Sequence, residues 1–370
     1  RFGELTKAQK ILSRSLQSIQ VDNVTGNADV QPIKTSIRLE LGHTLRALSH
    51  REMAVGRTDK AIDFREQALA TYKALSTEVA FPSVSEAEAA LVRIQAQLNQ
   101  LSYLIETGAL EAAQAIWPEV TLSTLTAGRD RTEAYISYAH SLNCLRSPLS
   151  VSCVRKEWQE ALNETEQNSS HLNESNISGS QPSNNLIAET LAAALQQSEA
   201  LADPLLIAYS AGELGHTYEL AEQFAEAKQL TQQALRQLEG KQFPEIAYRW
   251  EWQLGRLYST ESNNSTDSAA AISAYQQALK SLDDVRQSLL RIDSQAQFSF
   301  RDDVEPVYRE FVALLLSEHD ANRPTVTTDR LSLAIETIDA LQLTELENFL
   351  GCNLAQLVNL TEVRAGDKTD

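Results

Sequence analysis

Long apolar runs, basic clusters and C-x-x-C cysteine motifs are all missing from this sequence. The longest apolar stretches, such as Phe311–Leu316, fall far short of the ~20 residues that cross a bilayer, so no membrane span is expected. A formal charge of −18, from 50 acidic against 32 basic residues, repels a phosphate backbone. No run of Lys and Arg offsets it, which excludes nucleic acid as the expected partner. No glycine-rich phosphate loop, Ser-His-Asp arrangement or H-E-x-x-H spacing occurs, and neither a cofactor nor a metal ion is expected. Cys144, Cys153 and Cys352 are too few for a disulfide framework and lack C-x-x-C spacing. Three buried or indifferent thiols is the plain expectation, with a Cys144–Cys153 bridge as the alternative in an oxidising compartment. Triplets of the N-x-S/T type, as at Asn23 and Asn264, carry no weight without a secretory context. No signal-peptide layout is present, so a cytoplasmic location is expected. The chain opens on Arg1-Phe2-Gly3 without an initiator Met, and removal of an upstream signal is the alternative.

What is there is helical. Glycine and proline are scarce, while Ala, Leu, Gln and Glu recur and keep most of their rotamer freedom in a helix, so an all-α protein is expected. Its length, 370 residues, favours an array that adds core by stacking. Self-similarity bears this out: Leu41-Gly42-His43-Thr44 returns as Leu214-Gly215-His216-Thr217 and as Leu254-Gly255-Arg256-Leu257. Each copy is followed by a second segment with alanines seven apart, at Ala61 and Ala68, Ala227 and Ala234, and Ala271 and Ala278. Alanines at that spacing share one helix face and admit a close neighbour. A glycine inside a helix costs about 1 kcal/mol relative to Ala, so its return at one place implies a steric need there.

The set resembles the tetratricopeptide repeat, whose signature runs through a Leu-Gly pair, a Tyr (Tyr218 and Tyr258 here) and then Ala, an aromatic (Tyr275) and Ala on the second helix. That resemblance implies a right-handed superhelix of irregular helix pairs, ending here in longer antiparallel helices. Gly108 with Ala113 and Trp117 reads as a degenerate copy after the helix of Ala89–Ile105, and Ala8 with Ser15 and Leu16 as a truncated first repeat. Spacing departs from the usual 34-residue period: Gly215 and Gly255 are 40 apart. Gly42 precedes Ala61 by 19 residues where Gly215 precedes Ala227 by 12, and the seven extra residues make two more helical turns. The expected organisation is irregular repeats over 1–162, an Asn/Ser-rich loop over 163–185 and repeats over 186–297. A helical segment follows over 298–350, and a linker over 351–370 leads toward a domain absent from this chain. A smaller loop falls at Asn263–Asp267.

Beyond Ala278 three longer helices are expected, at about Gln276–Ile292, Asp303–Glu318 and Asp329–Leu350. In the second, Val304, Val307, Tyr308, Phe311, Leu314 and Leu315 make one apolar stripe, with Pro306 in the first turn. In the third, Leu331, Ile335, Ile338 and Leu341 form the expected inner face. The strings Tyr248-Arg-Trp-Glu-Trp-Gln-Leu-Gly, Phe298-Ser-Phe-Arg-Asp-Asp-Val-Glu-Pro-Val-Tyr-Arg and Ile338-Asp-Ala-Leu-Gln-Leu-Thr-Glu-Leu-Glu-Asn-Phe resemble the region before the caspase-like CHAT domain of cyanobacterial proteins that carry these repeats. In that family a His-Cys protease domain follows. No histidine here precedes a glycine, and Cys352 lies in Leu-Gly-Cys-Asn-Leu without a nucleophile's surroundings. The chain by itself is therefore not expected to be an enzyme.

Tetratricopeptide groove positions, carried over residue by residue, imply a partner-binding surface of His43 and Arg46, of Tyr209, His216 and Glu219, and of Arg249, Trp252 and Arg256. The last three would hold an acidic or aromatic peptide by charge-assisted hydrogen bonds and stacking. The plain alternative is that Trp250 and Trp252 pack between repeats. The Asn and Lys set that clamps a C-terminal carboxylate is missing. The expected function is a regulatory scaffold that binds a protein or peptide partner, its own CHAT domain included. The alternatives are part of a cysteine-protease unit, or a module that self-associates.

Overall fold

The computed structural model describes residues 4–22, 30–78, 84–147, 153–159, 181–240, 243–260, 265–289, 294–317 and 327–350. Among these every regular element is a helix. The α-helices of seven or more residues are, in order, α1 (Leu5–Asp22), α2 (Val30–Ala54), α3 (Thr58–Ser76), α4 (Glu86–Glu106), α5 (Leu110–Ile116), α6 (Arg129–Arg146), α7 (Asn184–Ala200), α8 (Pro204–Leu220), α9 (Phe224–Leu238), α10 (Pro244–Thr260), α11 (Ser265–Leu289), α12 (Ser294–Leu316) and α13 (Thr328–Leu350). Two compact units, Gly3–Thr217 and Tyr218–Asp370, divide inside α8. Within each unit helices pack mainly on their neighbours in sequence.

In the first unit the hairpin of α2 and α3 turns at Gly56, whose φ is 74°. Its amide donates to Met53 and that of Arg57 to Glu52, both at 2.9 Å, which satisfies the last carbonyls of α2. Ala61 and Ala68 are fully buried on α3. A Cβ on Gly42 would lie 2.6 Å from the Tyr72 ring, so the missing side chain makes room for the aromatic. The second unit repeats the device: Ala271 and Ala278 are fully buried, and a Cβ on Gly255 would meet Tyr275 at 2.7 Å.

The register of the two hairpins follows from helix length. α2 continues 12 residues past Gly42, whereas α10 continues five past Gly255. In a helical hairpin, moving two turns from the bend along one helix moves the partner two turns along the other. Accordingly Tyr72 lies four residues after the second alanine of its pair, Ala68, and Tyr275 four after the first, Ala271.

This contact sets up a contest of known sign. Helix propensity alone would make Gly255→Ala stabilising by about 1 kcal/mol. Against that, Tyr275 is almost fully buried and stacked on Phe311, so it cannot swing aside, and overpacking of this kind costs about 1–3 kcal/mol. Gly255→Ala and Gly42→Ala are each expected to lower the urea midpoint. A raised midpoint would show the contact to be soft.

Several expectations are corrected. Gly108 does follow a helix as expected, but as its terminator: its φ is 74°, and Ala109 donates to Leu104 at 2.8 Å at the end of α4. α11 runs unbroken from Ser265, so the repeat's second helix and the expected Gln276–Ile292 helix are one, and residues 265–267 are helical, outside the small loop. α12 begins at Ser294, which leaves Pro306 inside the helix and not in its first turn. Its apolar stripe does pack as expected, with Val307, Tyr308, Phe311 and Leu315 in the core of the second unit. Of the Asn/Ser-rich loop, residues 163–180 lie outside the described residues. α7 starts at Asn184, where the Ser183 hydroxyl accepts from Leu186 at 3.2 Å as an N-cap. Cys144 and Cys153 form a disulfide and are not free thiols; it ties the end of α6 to the segment before Lys156.

The largest correction concerns α13. Its inward residues are Ala334, Thr337 and Thr344, with Leu333 and Leu341 packed against the core. Leu331, Ile335 and Ile338 are 48%, 52% and 39% exposed, opposite to the expected inner face. The helix is apolar on more than one side, and the face with small residues allows the closer approach to α12.

Candidate protein-binding surfaces

The eight groove residues fall into two sets. In the first unit His43 and Arg46 lie on α2 and Tyr209 and His216 on α8; in the second are Glu219, Arg249, Trp252 and Arg256. Each set meets partners that the repeat pattern did not announce.

Arg46 donates to the Glu106 carboxylate from Nε at 3.1 Å and again from Nη2, to Ser102 at 3.0 Å, and lies over the Tyr103 ring. His50, one turn further along α2, shares that carboxylate: its Nε2 is 3.0 Å from Glu106 Oε2. The Trp158 indole donates to His50 Nδ1 at 3.4 Å, which leaves the proton of the neutral ring on Nε2, aimed at Glu106. Burial opposes the charge of Glu106, but the His50 hydrogen bond and the charge of Arg46 outweigh it and hold the carboxyl down at about 2. His43 is placed differently, with Nδ1 3.2 Å from the Tyr72 hydroxyl, and burial lowers its pKa. Tyr103 is pushed up to about 12 by burial.

His50 supplies a pH dependence with a definite sign. Burial outweighs Glu106 and pushes its pKa below 6.5. The unfolded chain therefore takes up a proton at this ring that the folded chain resists, and stability falls as pH drops through 6.5. The urea midpoint is expected to fall between about pH 7.5 and about pH 5.5, and His50→Gln to flatten that fall. A further loss below 4.5 follows from Glu106, whose folded pKa lies beneath its ordinary value.

In the second unit Arg256 makes a two-pronged contact with Glu219, Nε to Oε1 at 2.7 Å and Nη2 to Oε2 at 2.9 Å. Its guanidinium lies 4.6 Å from the Trp252 ring centre. The Trp252 indole donates to Glu310 at 2.6 Å, and Tyr275 donates to the same oxygen at 3.0 Å. Arg249 stands over Trp250, which is itself buried. Glu219, Trp252 and Arg256 are thus brought together, while the forks of Arg46 and Arg256 are already filled by carboxylates. The acceptors Glu106 and Glu310 were missed because each belongs to a helix outside the matched repeat copies. An acidic residue inside an apolar stripe, such as Glu310 beside Phe311, was the available signal.

A surface of another kind lies on α13. Leu331, Ile335, Ile338 and Leu346 recur at i, i+4, i+7 and i+15, each at least 39% exposed. That spacing puts all four on one face, an apolar stripe turned to solvent. Among the described residues no group of three His, Cys, Asp or Glu side chains is arranged to hold a metal ion, and no helix is long and apolar enough to cross a membrane. Cys352 lies outside the described residues. The chain matches no protein-family model and no curated protein sequence.

Proposed function

We propose that this chain is a protein-interaction scaffold, an irregular tetratricopeptide-like array that binds a peptide or helix of a partner and couples it to an attached caspase-like CHAT domain. The observation that carries the reading is the outward stripe of Leu331, Ile335, Ile338 and Leu346 on α13. An amphipathic helix that turns large aliphatic side chains to water is suited to burial against another protein. The hairpin of Gly255 and Tyr275 supports the repeat reading, since it fills the place of the family's Gly and aromatic residues; in the other hairpin Tyr72 meets Gly42 from beyond the second alanine, outside the family's aromatic position. In the groove reading, Arg46 in the first unit is neutralised by Glu106, and Arg256 in the second by Glu219, so a partner would meet paired guanidinium groups in each unit. The Cys144–Cys153 bridge favours an oxidising compartment over the cytoplasmic location expected from the sequence.

The triple variant Leu331→Ser, Ile335→Ser, Ile338→Ser tests the stripe. Because these side chains are about half exposed, each change is expected to cost about 1 kcal/mol or less. Binding of the dye 8-anilinonaphthalene sulfonate should fall with it. Loss of the folded state would contradict the assignment by showing that the stripe is core. Sedimentation of the unmodified chain separates a foreign partner from the self-association reading, which requires a mass that rises with concentration. The protease reading requires casein cleavage that is lost in Cys352→Ala, and none is expected.

A further inference from the structure

The opposite side of α10 from the matched groove positions holds a cavity of about 1000 Å³. Arg249, Trp252 and Arg256 share one face of α10, whereas Ala247, Glu251, Leu254 and Tyr258 share the other and floor this cavity. One wall comes from Leu235 and Leu238 at the end of α9 and from Phe243 just before α10; the other comes from α11. Apolar surface therefore surrounds a polar centre.

That centre is Glu251. The residue is only 9% exposed, it lines the cavity, and its Oε2 is shut off from solvent without a hydrogen-bond partner. Ser281 and Gln277 hydrogen-bond the carboxyl group, which leaves Oε2 as the one oxygen without a donor, a costly arrangement for a buried carboxylate. Burial raises the pKa of Glu251, with Ser281, Gln277 and Lys280 acting in the other direction. Among the described lining residues the rim has the same sign: Glu239, Glu245 and Asp284 join Glu251 around the opening, against the ammonium of Lys280, while that of Lys228 lies 5.6 Å from the Tyr258 ring centre.

We propose that this cavity is a second binding site, which takes a peptide segment of a partner protein that inserts a lysine or arginine side chain toward Glu251 between flanking apolar residues. The carboxylate rim draws in a cationic group and disfavours an acidic one. Leu235, Leu238, Phe243 and Leu254 take up the neighbouring apolar side chains. A volume of this size admits a few residues, not a whole helix. The site is independent of the α13 stripe, so the stripe's serine variant binds the same peptide unchanged, and failure of either surface leaves the other standing.

The probe is a fluorescein-labelled, N-acetylated and C-amidated peptide of sequence Gly-Leu-Phe-Lys-Leu-Leu-Gly, compared with the same peptide carrying norleucine for lysine, by fluorescence anisotropy with the full chain. The lysine peptide is expected to bind about tenfold or more tightly than the norleucine peptide, and more weakly as salt is raised. Glu251→Gln, which keeps the shape of the side chain, is expected to remove that preference. The surface pair Glu239→Gln, Asp284→Asn acts on exposed positions and is expected to weaken binding several-fold and reduce its salt dependence, which keeps the test intact if Glu251→Gln fails to fold. Equal binding of the two peptides, no binding of either at millimolar concentration, or displacement of the peptide by equimolar spermidine would each overturn the proposal.

Discussion

Phe311→Ala is expected to destabilise the second unit by about 3–5 kcal/mol. Phe311 is fully buried and stacks on Tyr275 with ring centres 5.5 Å apart and planes 14° from parallel. Tyr275 is in turn the ring that occupies the gap left by Gly255. Truncation therefore leaves a void beside the very contact that sets the spacing of α10 and α11, and a rigid aromatic neighbour cannot collapse into it. Urea unfolding followed by far-UV dichroism measures the loss, with Leu316→Ala as the control. Leu316 is 43% exposed, and its truncation should stay within about 0.5 kcal/mol. Equal effects at the two positions would show that the core of this unit is elsewhere.

Arg46→Ala is expected to cost about 2–3 kcal/mol, below the full range for breaking a buried pair because both side chains keep some exposure, 20% for Arg46 and 23% for Glu106. The cost is the desolvated Glu106 left with His50 as its remaining partner, more than the worth of the pair itself. A double variant separates the two. Arg46→Met with Glu106→Leu removes both charges and replaces them with apolar bulk, so it should recover most of the stability lost in Arg46→Ala. A double variant worse than the single would mean that the network is itself strongly stabilising. Acid should weaken Arg46→Ala less than the unmodified chain below pH 4.5, since the depressed pKa of Glu106 depends in part on Arg46.

Both predictions rest on residues whose visibility in the sequence differs. Phe311 belongs to a stripe of period 3.6 and could be read directly; so could Gly42 and Gly255, because a helix glycine that recurs needs a reason. The reason itself, a tyrosine ring in each case, required the hairpin register. Glu106 was not legible as Arg46's partner, since 60 residues separate them and only the packing of α2 near the end of α4 brings them together. On α13 the pattern was misleading for a physical reason: where apolar residues occupy two faces, periodicity does not choose between them, and the face that packs is the one with Ala334 and the threonines. Glu251 was hidden by its setting between Trp250 and Trp252. Nothing in a run of Trp-Glu-Trp says which of its side chains is turned into a cavity.

The α13 stripe also explains why the scaffold reading needs no groove free of internal contacts. Arg46 and Arg256 have their forks filled, whereas Leu331, Ile335, Ile338 and Leu346 are turned to solvent. The difference can be probed one position at a time. With Ile335 replaced by the photoreactive residue p-benzoylphenylalanine, the full-length protein is irradiated in the cells from which it comes, and the crosslinked product is compared with that from the same replacement at Glu336, one residue around the helix. A protein adduct from position 335 that is absent from position 336 and lost when Leu331 and Ile338 are changed to serine is the predicted result; no adduct at 335, or the same adduct at both positions, would contradict the claim that this face of α13 binds a protein.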